Sequence, residues 1–236
     1  MVRIAVIIPA LNPLPSLIDF VKDLTELNIE SILIINDGSD EKYQSIFMEL
    51  RKLEKCIIIE HDRNYGKGRA LKTGFTYFLN HLKEVKALLT VGAHGQHTIP
   101  DVEQLIHNTS LISDGIILGA RNFHSKKVPL KNALGNHAAS LLFELLYHKK
   151  LLDTQTGLRC LPKHALSWLV KVPGESFSYN SNMLAYAIKR NVPIYEIPIG
   201  SMCLKKNSII YYDEITNTQI VLQQMLVSYK KGRKVT

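Results

Sequence analysis

The chain has 236 residues, 46% of them hydrophobic and 21% charged, with a formal net charge of +8. This length holds one large domain or two small ones, and this apolar share builds a sizeable core without disulfides or structural metals. Cys56, Cys160 and Cys203 stand far apart with no C-x-x-C pair, which speaks against a zinc knuckle, and their odd number speaks against a disulfide framework, so reduced, mostly buried thiols of a cytoplasmic protein are expected.

The chain turns apolar at once. Val2 to Pro9 is a short Ile/Val run with no small-residue cleavage site after it, so it is expected as a buried strand and not as a secretory signal. Helical spacing follows over Leu14 to Leu27, a strand-like run over Ser31 to Ile35, and a helix over Glu41 to Leu53. The alternation continues with a strand over Cys56 to Ile59, a helix over Lys67 to Leu82, a strand over Ala87 to Val91, a helix over Pro100 to Ile112 and a strand over Gly115 to Gly119. Beyond these, helices are expected over Ala133 to Tyr147, Lys163 to Val170 and Asn182 to Arg190, a strand over Pro193 to Ile199, and a last amphipathic helix over Asp213 to Tyr229 before a basic tail. Short Ile/Val/Leu runs alternating with amphipathic stretches predict a doubly wound, mostly parallel α/β sheet with helices on both faces. No Pro/Gly/Ser-rich linker or repeat divides it, so one domain is the simpler expectation. No stretch reaches the ~20 apolar residues of a membrane span, and the Asn108-Thr109-Ser110 sequon is therefore expected to be a chance match.

Basic pairs stand at Lys126-Lys127, Lys149-Lys150 and Lys205-Lys206, and the tail carries Lys230, Lys231, Arg233 and Lys234. Such a surface is either a solvated face or a place for phosphates, whether on nucleotides or on the anionic headgroups of a membrane. No aromatic–basic interleaving or helix-turn-helix signature accompanies it, so nucleic acid is not an expected partner.

Ligands of doubly wound sheets bind beyond the carboxyl ends of the strands, which singles out Pro9 to Asn12, Asn36 to Ser39, Gly92 to His97 and Arg121. The carboxylate of Asn36-Asp37-Gly38-Ser39 either accepts hydrogen bonds from a base or ribose or belongs to an Asp-Gly turn. Asn64-Tyr65-Gly66-Lys67-Gly68-Arg69-Ala70 opens a helix, where glycines let backbone approach a phosphate and Lys67 adds charge.

In this order, Ile8-Pro9-Ala10-x-Asn12, Asn36-Asp37-Gly38-Ser39, Asn64-x-Gly66-Lys67-Gly68-x-Ala70, Gly95-Gln96-His97, Gly119-x-Arg121 and Asp153-Thr154-Gln155-Thr156-Gly157-Leu158-Arg159 resemble the family 2 glycosyltransferases, and among them the dolichyl- or polyprenyl-phosphate sugar synthases. The resemblance implies a GT-A fold, with a nucleotide-sugar half over residues 1–122, an acceptor half over 123–212 and a C-terminal helix and tail over 213–236. It implies sugar transfer, with inversion, from a UDP- or GDP-sugar, often to a lipid phosphate, with a divalent cation (Mg²⁺ or Mn²⁺). It assigns Pro9, Asn36 and Asp37 to the base and ribose, with Ala10, Ala93 and Gln96 alongside. Lys67 falls near the nucleotide, Arg121 at the pyrophosphate, and Gln155 and Arg159 at the sugar and acceptor pocket.

The chain departs from the family where the resemblance expects Asp-Ala-Asp-Gly-Gln-His. Gly92 and His94 take the two acidic positions. Glycine offers no ligand, and imidazole poorly replaces a carboxylate for a hard cation. His94 and His97 would need Asp37 or His124 to form a different metal site; the simpler reading makes His97 the family's own histidine. The general-base carboxylate falls on Asn180 or Ser178, and an amide takes no proton at neutral pH. Together these losses point to a sugar-nucleotide-binding scaffold with impaired catalysis, supporting a partner glycosyltransferase or membrane protein. The alternatives are an active, metal-independent transferase in which Lys67, Arg121 and Arg159 replace the metal's charge, and a non-catalytic nucleotide or glycan sensor. The basic tail adds an expectation of peripheral attachment to an anionic membrane, at about 1 kcal/mol per charge near the surface.

Overall fold

The structure, a computed structural model, describes residues 2–95, 97–123 and 130–200, and near the C-terminus residues 219, 222–223, 225–227 and 229–230. In chain order the described elements are β1 (Ile4–Ala10), α1 (Ser16–Thr25), β2 (Ser31–Asn36), a 3₁₀ turn (Glu41–Tyr43), α2 (Gln44–Arg51), β3 (Cys56–Glu60), α3 (Lys67–His81), β4 (Ala87–Thr90), α4 (Ile99–Leu111), β5 (Ile116–Arg121), α5 (Leu130–Tyr147), β6 (Arg159–Pro162), α6 (Lys163–Leu169), α7 (Ser178–Lys189) and β7 (Ile194–Ile199). The strands form one sheet in the order β3-β2-β1-β4-β6-β5-β7. All neighbours are parallel except β6, which runs antiparallel to both β4 and β5.

The apolar runs are continuous because both faces of the sheet are covered. Successive strand residues point to opposite faces, and the two cores divide on that rule. Ala5, Ile7, Leu33 and Ile35 pack with Leu71, Phe75 and Phe78 of α3 and with α6 and α7. Ile4, Val6, Ile8, Ile32 and Ile34 pack instead with α1, α2 and α4 through Leu17, Val21, Phe47, Leu50, Val102 and Leu105. Pro9 sits near the end of a central strand without loss, since the β1–β4 ladder stops at Ile7↔Thr90 and no partner there needs its missing N–H.

Three boundaries differ from the sequence expectation. β6 was not expected at all: four residues opening on an arginine carry no strand pattern, and Arg159 is tolerated in the core because each of its three side-chain nitrogens donates to a backbone carbonyl. The helix expected over Glu41 to Leu53 opens instead as a 3₁₀ turn, because Asp40 is tied to Asn12 by side-chain bonds in both directions. Helix α7 starts at Ser178 and not at Asn182, and its first eight residues are all buried, so no alternation of polar and apolar faces marks its first turn.

Most of the described C-terminal positions are helical, in line with the final helix. Met225 is buried, and the Tyr229 ring meets Tyr147 edge-on at 5.7 Å. Gln96, His124, Lys126, Lys127, Cys203, Lys205, Lys206 and the tail beyond Lys230 lie outside the described residues. Among the described residues no helix is long and apolar enough to cross a membrane.

The topology gathers the site. The carboxyl ends of β1, β2, β4 and β5 share one edge of the sheet, and antiparallel β6 brings its amino end to that edge, with Thr90 and Leu118 both in register with Arg159.

Candidate functional site

At this edge the first two loops lock together. The Asn12 N–H donates to Ser39 Oγ at 2.9 Å, and the Ser39 N–H donates to Asn36 Oδ1 at 2.9 Å. Asp37 is 3% exposed and accepts from the N–H groups of Tyr65 and Gly66, with His61 Nδ1 at 2.7 Å. The side chains of Asn36 and Asp37, expected at the base and ribose, thus hold the loops together at the ligand edge. Asp37 fixes Gly66, whose φ of 98° suits glycine and delivers Lys67 to the start of α3.

Lys67 is the centre of the arrangement. A Cβ built on Gly157 would lie 3.3 Å from Lys67 Nζ, 3.6 Å from His97 Nε2 and 4.0 Å from the Gly92 nitrogen. Three nitrogens therefore surround the point where a side chain at residue 157 would begin. Thr90 fixes that glycine by donating its hydroxyl to the Gly157 carbonyl at 2.8 Å. Lost solvation holds the Lys67 ammonium down to about 8, with Arg159 and Arg121 adding repulsion. His94 is pushed down by burial and then by Lys67.

His97 is 4% exposed, and neither ring nitrogen has a hydrogen-bond partner. Burial, then Arg121 and Lys67, push it down to about 3 against a smaller pull from Asp101 and Asp153, so the ring is neutral. An orphaned buried polar group costs roughly 1–3 kcal/mol and calls for a reason.

The arginines are committed. Arg121 meets Asp153 through Nε at 2.5 Å and Nη2 at 2.9 Å, with its backbone N–H adding a third bond. Burial pushes the Asp153 carboxyl up, but the Arg121 charge and hydrogen bonds and the Gln155 N–H outweigh it and hold it below the usual range. Arg159 is 1% exposed and donates to the carbonyls of Thr156, Thr154 and Asn180. Placed at the sugar and acceptor pocket by the resemblance, it is a buried strut that holds the 153–158 loop against α7. Gln155 spans the same gap, with Nε2 2.7 Å from Ser181 Oγ, and the Asn180 side chain donates to the Gln155 carbonyl at 3.4 Å. Pro9 and Ala10 close β1 at the cleft edge, whereas Ala93 is buried in the apolar core beside α4.

The donor set does not fit a divalent cation. Among the described residues no three His, Cys, Asp or Glu side chains gather into a metal-sized group. The nearby carboxylates are engaged: Asp37 and Asp153 as above, Asp101 in the Thr98 capping box and with the Gly200 N–H, and Glu175 with Arg69 and Lys72. The ammonium of Lys67 instead stands in the space beside Gly92.

Sequence reasoning singled out Lys67, Arg121, Gln155 and Arg159, and the structure brings them to one edge. It gave no part to Gly157 and Asp153, though both lie in a quoted motif, and it assigned His97 no contact. Their signal was the motif itself, and only geometry gives the parts.

The model of glycosyl transferase family 2 matches residues 5–164. The chain belongs to that family. It is 30% identical to the UDP-N-acetylglucosamine–dolichyl-phosphate N-acetylglucosaminyltransferase of Methanococcus voltae, over 84% of this chain and 85% of that one. It is 26% identical to the dolichyl-phosphate β-glucosyltransferase of Saccharomyces cerevisiae, over 84% and 66%. Among solved structures it resembles glucosyl-3-phosphoglycerate synthase from Mycobacterium tuberculosis in complex with Mn²⁺, UDP and phosphoglyceric acid, with a TM-score of 0.69 at 15% identity over 96% of this chain and 78% of that one. Its fold is the GT-A fold of this family.

Proposed function

We propose that this family 2 protein binds a nucleoside diphosphate sugar in the cleft and passes the sugar to a phosphate carried by a polyprenyl-type lipid. The observation that carries the reading is the Lys67 ammonium, which has no carboxylate partner among the described residues and faces the Gly157 space at the ligand edge of the sheet. A diphosphate supplies the missing negative charge. The named dolichyl-phosphate relatives support the acceptor class. So does the chemistry at Asn180: a phosphate is already ionised at neutral pH, so its attack needs no base and the amide there costs such a transfer little.

The lipid side is further supported by α5. Leu134, Leu141 and Leu145 are 59%, 59% and 65% exposed on one helical face; Leu152, whose carbonyl accepts from Asn136 and Ser140 on another face of the helix, is 56% exposed. Exposed Lys149 and Lys150 border this stripe, as suits anionic headgroups. One residue past Leu152 the chain reaches Asp153, in the floor of the cleft.

The test is calorimetric titration with UDP-N-acetylglucosamine, UDP-glucose and GDP-mannose, followed by incubation with a short polyprenyl phosphate. At least one donor should bind saturably and yield glycosylated lipid phosphate. A flat titration with all three donors contradicts the reading. A second reading, a donor-binding scaffold without turnover, is favoured by Gly92, His94 and Asn180, since each lost stabilising group costs about 10²–10³ in rate. Saturable binding with no product, in either EDTA or Mn²⁺, selects it.

A further inference from the structure

Among the described residues Arg121 is tied to Asp153, Arg159 to three carbonyls, and Arg69 and Lys72 to Glu175, whereas the Lys67 ammonium has no carboxylate partner and lies 5.8 Å from the centre of the Phe177 ring. One buried ring, His97, has both nitrogens unpartnered, and it points at the same space as the Lys67 ammonium. That space exists because residue 157 has no side chain, and the Gly92 backbone nitrogen lies 4.0 Å from the point where its Cβ would stand.

We infer that Lys67, His97 and the Gly92 N–H form a diphosphate cradle that works without a divalent cation, the ammonium standing in for the metal and the neutral imidazole donating one hydrogen bond. This rests on the reading that the cleft takes a nucleoside diphosphate sugar. The division of labour follows from charge. The ammonium is the mobile countercharge that approaches the phosphate oxygens. Arg121 and Arg159 act through their field while their donors stay on protein. A neutral imidazole has one N–H to give and one lone pair to receive, so His97 serves an oxygen ligand without adding charge to a site already crowded with cations. The low pKa of both side chains agrees with a cleft that is electropositive and starved of acceptors until an anion enters.

The experiment uses the full chain and calorimetry with UDP, UDP-N-acetylglucosamine and inorganic pyrophosphate, in EDTA and then in Mn²⁺. Binding in EDTA is expected, with Mn²⁺ changing Kd less than about threefold. Lys67→Met should weaken binding ten- to hundredfold, and His97→Phe by a smaller factor. Gly157→Ala should weaken it like Lys67→Met while keeping both side chains, since the new Cβ lands in the cradle and displaces the Lys67 ammonium by a few tenths of an ångström; no positive φ bars alanine there. Circular dichroism checks that each variant folds, and if His97→Phe does not, the other two decide. Binding that appears solely with Mn²⁺ overturns the cradle but leaves the donor reading intact. So does unchanged affinity in both Lys67→Met and Gly157→Ala. No binding of the nucleotides under either condition removes the donor reading, and the cradle with it.

Discussion

At the scale of residues, the site is a place where local stability is given up. Lys67 is half-buried, is held down to about 8 and lacks a partner carboxylate among the described residues. The sign follows from linkage. A lysine whose folded pKa lies below its unfolded value binds fewer protons folded than unfolded, so stability is reduced at neutral pH and recovers as pH rises from about 8 towards the unfolded value near 10.4. Lys67→Met should therefore raise the melting temperature of the ligand-free protein at pH 7 while weakening nucleotide binding. A gain of about 1 kcal/mol would appear as roughly 2–4 °C for a chain of this size. A lower melting temperature for that variant would show that the lysine is a structural support. His97 has the opposite window. Its ring is held at about 3, so the unfolded chain takes up the proton first and stability falls as pH drops below the ordinary imidazole value near 6.5.

At the scale of elements, the Asp153–Arg121 pair joins the loop before β6 to the end of β5. The Asp153 side chain is fully buried, so removing its charge leaves a guanidinium without its partner. Asp153→Asn should cost about 3–5 kcal/mol, read as a shift in the urea midpoint. Because the folded carboxyl is held below its usual range, its contribution is present above the unfolded value near 3.9 and is lost as pH falls through the folded value. The variant should thus lose the wild-type protein's steepest loss of stability below pH 4. An unchanged midpoint would mean that the pair contributes nothing.

Elements also mark how far the chain could be read without coordinates. The strands β1 to β5 and the helices between them were legible, because doubly covered strands are unbroken Ile/Val runs and the helices carry one apolar stripe. β6 was not legible, since its arginine is made acceptable by carbonyls from a loop and a distant helix. The cleft was legible as a set of motifs at strand ends. The contacts were not: nothing in one dimension tells that Asn36, Asp37 and Arg159 bond to loops and backbone. The same holds for Gly157, whose contribution is the absence of a side chain at one point in space.

At the scale of the whole molecule, one sheet of seven strands carries the candidate site at one edge, and α5 turns an exposed leucine stripe to solvent. With a net charge of +8, this surface should bring the chain to anionic vesicles. Co-sedimentation with phosphatidylserine-containing vesicles is expected to fall sharply in Leu141→Glu/Leu145→Glu and less on removal of residues 231–236. Equal pelleting of the leucine double variant would show that the stripe does not touch lipid.

The central claim is that positive charge on Lys67 has replaced a metal held at positions 92 and 94. It is tested most directly by the ratio of the donor Kd in EDTA to that in Mn²⁺, for wild type and for Gly92→Asp/His94→Asp. The account predicts a ratio near one for wild type and, once two carboxylates face the cleft, roughly tenfold or more for the double variant. A wild-type ratio as large as that of the double variant would contradict it.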